Sequence, residues 1–242
     1  MKESRILSHE EARTFYDAFG SKQDLQRFYE DKAIDALLDH AFFERANAVV
    51  EFGCGTGRLA ERLLRETLPA RATYDGFDVS PTMVGLAEAR LRPWAGRTRV
   101  HLTTGTPDLP LADAACDRFL STYVLDLLGE DEIRAVLLEA ARILAPGGLL
   151  CLASLTFGES LPSRLLSRLW TAVHSRSPRL VGGCRPLRLE KFLPPGWLVV
   201  HREVVCSFGL CTEVLTGTRF ASSSAGREVQ GEGPTRKEGA HA

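Results

Sequence analysis

Val49-Val50-Glu51-Phe52-Gly53-Cys54-Gly55-Thr56-Gly57-Arg58 passes from an apolar run, through one acid, into a turn with glycine at every second position. A short apolar run of this kind suits a parallel strand covered on both faces. The glycines remove side chains where the backbone must bend sharply and a ligand must come close. A helix starting at Arg58 offers its free N–H groups at the same spot. Strand, glycine turn and helix start together describe a cradle for a cofactor.

Outward from this turn the chain alternates. The strand covers Ala48–Phe52, and the helix runs from Arg58 to about Leu68, where Pro69 stops it. Thr73–Asp78 reads as a second strand, and Ser80-Pro81 as the N-cap and first-turn proline of a helix carrying Val84, Ala87 and Leu91. Arg99–Thr103 and Asp117–Val124 read as strands three and four, separated by the turn-rich Gly105–Pro110. Glu130–Leu144 is predicted as a helix with Ile133, Val136, Leu137, Ala140 and Leu144 on one face, closed by Pro146-Gly147-Gly148. Leu149–Leu155 is the fifth strand. Alternation of this kind predicts right-handed crossovers and a parallel sheet with helices on both faces.

Before the glycine turn, Phe15, Phe19, Phe28, Ile34, Leu37 and Leu38 recur at helical spacing, broken at Gly20-Ser21, which predicts two helices. They either pack onto the sheet or lie over the turn as a lid, placing Tyr16 or Tyr29 near a bound cofactor. After Phe157 the pattern changes. Pro162–Val173 predicts an amphipathic helix with Leu165, Leu169, Trp170 and Val173 on its apolar side. Trp197–Phe208 and Cys211–Phe220 are β-rich runs separated by Gly209-Leu210, predicting an antiparallel hairpin. Residues 221–242, rich in Ser, Gly and charge, are expected to be a disordered tail. The organisation is therefore one domain over 1–220, with N-terminal helices at 1–45 and a lid-like insertion at 161–195.

Composition sets limits on partners. With 242 residues, 44% hydrophobic and 25% charged, the chain supports one substantial core. A net charge of −1 and a pI near 6.6 offer no general attraction for nucleic acid, so a small-molecule partner is expected. The six cysteines form no C-x-x-C pair and have no histidine at zinc-ligand spacing, so reduced thiols and no metal centre are expected. The first residues lack the apolar core of a signal peptide, and no run reaches about 18 apolar residues. A cytosolic protein without a transmembrane segment is the expectation.

Four motifs in order carry a resemblance: Glu51-Phe52-Gly53-Cys54-Gly55-Thr56-Gly57, Phe77-Asp78-Val79-Ser80-Pro81-Thr82-Met83, Asp108-Leu109-Pro110 and Leu144-Ala145-Pro146-Gly147-Gly148. On these the chain resembles class I S-adenosylmethionine-dependent methyltransferases, similar to the ubiquinone/menaquinone C-methyltransferase type. The resemblance covers roughly residues 45–155, and the terminal hairpin matches the family's last two strands. It implies a Rossmann-like three-layer sandwich with a mostly parallel seven-stranded sheet, a closing antiparallel hairpin and an N-terminal helical lid. It also implies S-adenosylmethionine as cofactor, held by Glu51, Gly53, Cys54, Gly55, Gly57, Asp78, Val79, Gly105, Thr106 and Ser121, with Glu51 at the cationic amino end. Asp78, at the tip of the second strand, can accept both hydroxyls of a ribose.

Gly55-Thr56-Gly57-Arg58-Leu59-Ala60 also satisfies a dinucleotide fingerprint, which would make the protein a nicotinamide- or flavin-dependent oxidoreductase. Glu51 before the first glycine opposes a pyrophosphate and suits a cation. A non-catalytic binding protein of the same fold is a further alternative. Tyr123 and Asp126, after the fourth strand, are the candidates to hydrogen-bond an acceptor or take its proton, although Asp126 is equally placed to cap a helix. His174 and His201 are more distant candidates for a base. Members of the family it resembles that methylate an exocyclic amine or a glutamine amide hold it with an Asn/Asp-Pro-Pro-aromatic tetrapeptide, and the lack of one here argues, on that resemblance, against such an acceptor. Arg164, Arg168, Arg176, Arg179, Arg185, Arg188 and Lys191 cluster after the fifth strand. They read as a solvated face, as a lid whose Arg185 receives an acidic, phenolic or quinol-like acceptor, or as a membrane-surface contact.

Overall fold

The computed structural model describes residues 6–219, apart from the side chains of Gln26 and Arg27. Phe220 and the tail expected at 221–242 lie outside the described residues. Among those described, five parallel strands are β1 (Ala48–Phe52), β2 (Thr73–Asp78), β3 (Thr98–Leu102), β4 (Cys116–Thr122) and β5 (Leu144–Thr156). The hairpin strands β6 (Trp197–Ser207) and β7 (Leu210–Arg219) complete one seven-stranded sheet in the order β3-β2-β1-β4-β5-β7-β6. Only β7 opposes its neighbours, pairing antiparallel with both β5 and β6. The helices are α1 (His9–Phe19), α2 (Arg27–Ala41), α3 (Arg58–Glu66), α4 (Pro81–Leu91), α5 (Glu130–Ile143) and α6 (Leu161–Arg176).

The central strand β1 is almost wholly apolar because it covers two cores, whereas the edge strands β3 and β6 carry mostly half-buried and exposed residues. Val49 packs with Leu37, Leu63 and Ala87 from α2, α3 and α4 on one face, while Val50 packs with Ile133, Val136 and Leu137 from α5 on the other. Each such side chain contributes about 1.5–3 kcal/mol by leaving water. The helix starts are written locally. Ser8 accepts from Glu11 N while Glu11 reaches back to Ser8 N, a reciprocal cap that begins α1. Ser80 accepts from Met83 N, with Pro81 in the first turn of α4.

Three expectations change. Strand β5 begins at Leu144, because Leu144 already pairs with Cys116 before an irregularity around Pro146-Gly147-Gly148. The hairpin turn is Phe208-Gly209, both at positive φ, and not Gly209-Leu210. That one-residue shift places Cys206 opposite Cys211, and the two form a disulfide, so the expectation of reduced thiols throughout is corrected. Cys54, Cys116, Cys151 and Cys184 are free.

Helix α6 is also turned round. Ser163, Ser167 and His174 are buried, whereas Leu161, Leu165 and Leu169 face out. The polar face is held inward by bonds from Gly158 N to Ser167 Oγ (2.9 Å) and between His174 Nε2 and Gly183 O (3.1 Å).

Arg118 ties the α2 end to the sheet. Buried in β4, it donates from Nε to Ala41 O (2.7 Å), from Nη2 to Phe42 O (2.8 Å) and from Nη1 to Asp117 O (2.8 Å). Removing the guanidinium orphans carbonyls at the C-terminus of α2. Arg118→Met is expected to lower unfolding free energy by about 1–3 kcal/mol in urea titration, with little change in cofactor affinity because the residue is far from the glycine turn in its strand.

Candidate functional site

The turn after β1 is clamped from β2. Gly53 N and Cys54 N both donate to Phe77 O (2.8 and 3.0 Å), and Gly55 N donates to Asp78 Oδ2 (2.9 Å). Gly53, Gly55 and Gly57 adopt φ of 79°, 52° and 74°, which disfavours residues with a β-carbon. At Gly53 a β-carbon would also lie 2.1 Å from Val124 Cγ2. At Gly57 it would lie 3.0 Å from Ala87 Cβ on α4, so that glycine serves helix packing and does not line the cavity.

A cavity opens at the turn, lined by Gly53, Gly55, Phe77, Asp78, Val79 and Gly105 from the sheet and by Ala12, Tyr16 and Gln23 from the N-terminal segment. The segment is seated closely. Gln23 Oε1 would be 2.9 Å from a β-carbon on Gly55, and His9 Nδ1 2.8 Å from one on Gly105. It is fastened by Asp24, which accepts from Thr56 Oγ1 (2.7 Å) and Arg90 Nη2 (2.7 Å), and by Arg58, which reaches Asp31 (2.6 Å) and Glu30 (3.2 Å). Phe77, Val79, Met83, Leu127 and Leu128 make one end of the cavity apolar.

An adjoining recess, which shares Gln23, Gly53 and Gly55 with this cavity, is acidic. Glu51 is buried at the tip of β1 and accepts from Tyr74 Oη at 2.6 Å. Burial pushes its carboxyl up to about 8, opposed by the Tyr74 hydrogen bond and helped by the charge of Asp78. Burial likewise raises Glu30 to about 7, against the pull of Arg58. Both acids line a recess that also includes Gln23, Cys54 and Gly55. Asp78 is raised as well, chiefly by burial, despite accepting from Ser80 N and Gly55 N. Two buried carboxyls, Glu51 and Glu30, that hold their protons more tightly than usual in one recess mark a place that gains by receiving a cation.

Tyr123 and Asp126 meet at a second cavity of about 310 Å³, lined also by Phe15, Phe19, Tyr29, Trp170 and Cys184. Tyr123 borders both cavities. Its φ of 56° is unusual for a residue with a side chain. Its hydroxyl lies 3.0 Å from Thr212 Oγ1, and Tyr29 meets its ring edge-on at 6.0 Å. Asp126 is wholly buried. Its Oδ2 accepts from Leu155 N at 3.2 Å, whereas Oδ1 has no partner. Burial raises its carboxyl to about 7, opposed by backbone hydrogen bonds and by Arg185.

Several expected residues sit elsewhere. Thr106 is exposed and contacts Thr104, and Ser121 donates to Phe52 O within the sheet, so neither lines a cavity. Arg185 is used structurally, donating from Nη1 to Leu128 O (2.7 Å) and from its backbone to Asp126 O (3.1 Å). His174 bonds Gly183 O, and His201 stacks on His40 beside Glu203; neither borders the two cavities. Gln23, Asp24, Glu30 and His9 were not expected at the site. They reach it from the N-terminal segment by tertiary packing, and only the helical signal around them was readable in sequence.

Residues 49–148 match the methyltransferase domain family. The chain is 34% identical over 109 residues to a malonyl-[acyl-carrier protein] O-methyltransferase of Hahella chejuensis, covering 45% of this chain and 37% of that protein. It is 34% identical over 100 residues to a demethylmenaquinone methyltransferase of Tropheryma whipplei, covering 41% and 38%. The chain thus spans less than two-fifths of the length of these relatives. Among solved structures, the N-methyltransferase NodS of Bradyrhizobium japonicum WM9, in complex with S-adenosyl-L-homocysteine, superposes with a TM-score of 0.61 at 19% identity, over 78% of this chain and 87% of that one. The fold is therefore the Rossmann-like methyltransferase fold.

The buried acids set a pH dependence. Glu51 keeps a proton in the folded protein up to about pH 8, whereas an ordinary glutamate loses it near 4.5. The folded state then binds more protons than the unfolded one across that window, so stability falls as pH rises from about 5 to 8. Glu51→Gln is expected to flatten this slope in thermal melts of the ligand-free protein.

Proposed function

Because residues 49–148 match the methyltransferase domain family, we propose that the chain binds S-adenosylmethionine in the glycine-turn cavity and transfers the methyl group to a small acceptor in the Tyr123–Asp126 cavity. The residues suit this cofactor part by part. Glu51 and the unpartnered Gln23 Oε1 form an acidic, acceptor-rich end for an ammonium. Asp78 has lone pairs left over from its two backbone bonds for ribose hydroxyls. Phe77, Val79, Met83 and Leu128 provide an apolar slot for a planar base. A dinucleotide pyrophosphate would instead meet Glu51 and Glu30, which disfavours the oxidoreductase alternative.

When bound, the sulfonium supplies an electrophilic methyl that needs no further activation. The protein's own work is to align the acceptor, exclude water and remove a proton where the acceptor carries one. The N-terminal segment contributes Ala12, Tyr16 and Gln23 to the cavity that Asp78 lines from β2. The observation that carries the acceptor reading is Asp126: a wholly buried carboxyl with one unpartnered oxygen on the wall of an aromatic cavity. An acceptor hydroxyl would donate to Oδ1 and pass its proton to the carboxylate as its oxygen takes the methyl, the methyl–sulfur bond breaking with its electron pair left on sulfur, so that the products would be the methyl ether and S-adenosylhomocysteine. A carboxyl near 7 is well poised for that transfer. The acceptor this favours is apolar and hydroxylated, of phenolic or quinol-like character. An acidic acceptor is disfavoured, because Arg185 is occupied by carbonyls and Asp126 would repel it.

Calorimetry separates the two halves of this proposal. Asp78→Ala is expected to weaken S-adenosylhomocysteine binding by about 1–3 kcal/mol. Affinity is expected to rise from pH 6 to pH 8, by up to about tenfold per pH unit, as Glu51 gives up its proton to meet the ammonium, and this rise should vanish in Glu51→Gln. Asp126→Asn is expected to leave that affinity unchanged while lowering kcat on phenolic acceptors by about 10²–10⁴-fold. Full activity in Asp126→Asn would remove the residue from the chemistry.

A further inference from the structure

Helix α6 turns its apolar residues to solvent. Leu161, Leu165 and Leu169 are 81%, 70% and 60% exposed; spaced four apart, they form one row along the helix. Single exposed leucines are ordinary, but a contiguous row marks a surface that something covers. The row continues onto the hairpin. Leu166 of α6 packs at the turn, 2.9 Å from where Gly209 would carry a β-carbon, and the adjacent exposed Phe208 meets the exposed Phe28 edge-on at 5.6 Å.

Beside this row runs a groove of about 660 Å³, walled by Arg164, Arg168, Arg188 and Arg202, with Glu159 the one acid on its wall. Arg202 is engaged by Glu213 (2.6 Å) and Glu190 (3.5 Å). Among the described residues, Arg164, Arg168 and Arg188 make no ion pair. Guanidiniums stay charged at every physiological pH, so the groove has a positive excess directly alongside exposed leucines. Such a surface asks for an occupant that is apolar and anionic at once.

We infer that the outer face of α6 and its arginine groove dock on an anionic lipid bilayer. The leucines enter the boundary between headgroups and acyl chains, and the arginines meet lipid phosphates. A second copy of the chain is a poor occupant, because a two-fold contact through this face would set Arg164 and Arg168 against their own counterparts. The same unit carries Trp170, Leu180 and Val181 to the wall of the acceptor cavity. An apolar acceptor dissolved in the membrane would then reach Asp126 along a protein wall; this last point rests on the acceptor reading above, whereas the docking surface does not.

The test is co-sedimentation of the full chain, without cofactor, with vesicles of phosphatidylcholine alone and of phosphatidylcholine mixed with phosphatidylglycerol. Binding is expected to the mixed vesicles, to be weak on the neutral ones, and to fall as salt is raised. Arg164→Gln with Arg168→Gln should lower the partition coefficient by about 5-fold for each arginine removed. Leu165→Ser with Leu169→Ser should lower it as well, with thermal midpoints unchanged because these side chains are exposed. Failure to bind either vesicle, equal binding to both, or undiminished binding by the leucine variant would overturn the inference. So would release from vesicles by inorganic phosphate at low millimolar concentration, which would assign the groove to a soluble phosphate. A dimer in sedimentation velocity that the leucine variant dissociates would assign the face to a second copy. None of these outcomes depends on S-adenosylhomocysteine binding, so a failed docking surface and a failed methyltransferase reading remain distinguishable.

Discussion

A β-carbon at Gly53 would lie 2.1 Å from a methyl of Val124, and the site depends on that space staying empty. Val124 follows β4, so the glycine lets two neighbouring strand ends close on one another above the sheet. With the turn drawn in, Phe77 O takes the N–H groups of residues 53 and 54, and Asp78 takes that of Gly55. The tips of β1, β2 and β4 are thereby fixed as one wall. Asp78 is held by two backbone donors and has lone pairs left for a ligand, a preorganised acceptor with little entropy to lose on binding.

The second constraint is electrostatic. Glu51, Glu30 and Asp126 are acids buried with fewer partners than an ionised carboxylate wants. Each costs stability when charged, and each lies where a cation or a proton would offset that cost: Glu51 and Glu30 in the recess beside the glycine turn, Asp126 on the wall of the second cavity. The two cavities share Tyr123, held in a left-handed backbone conformation rare for a side-chain-bearing residue. That conformation turns the chain between β4 and the segment bearing Asp126, so the walls of the two cavities are joined through one strained turn.

Around this centre, the N-terminal segment and α6 behave differently from ordinary surface helices. The former places Gln23 and His9 against glycines, where only a flat backbone leaves room. The latter keeps serines in and leucines out. Helical spacing showed that Pro162–Val173 would be amphipathic, but spacing alone does not say which side faces the protein. The hydrogen bond that Ser167 Oγ accepts from Gly158 N, and that between His174 Nε2 and Gly183 O, decided it, against hydrophobicity.

Sequence by itself determined the strand–helix alternation, the glycine turn, the acids at the tips of β1 and β2, and the closing hairpin, because each is a local pattern with a local cause: a periodicity, a cap, or a backbone angle that glycine tolerates. Tertiary structure alone decided what those patterns enclose. Thr106 and Ser121 occupy plausible positions in the chain yet do not line the cavities described, while Gln23 and Glu30 enter from a segment whose sequence shows only a helix. The hairpin illustrates the sensitivity. A turn one residue earlier than Gly209-Leu210 pairs Cys206 with Cys211 and makes a disulfide of two thiols expected to be free, since a side-chain period of two turns every one-residue shift into a change of partner. Contacts between distant segments depend on register and packing, and neither is written in the spacing of any one stretch.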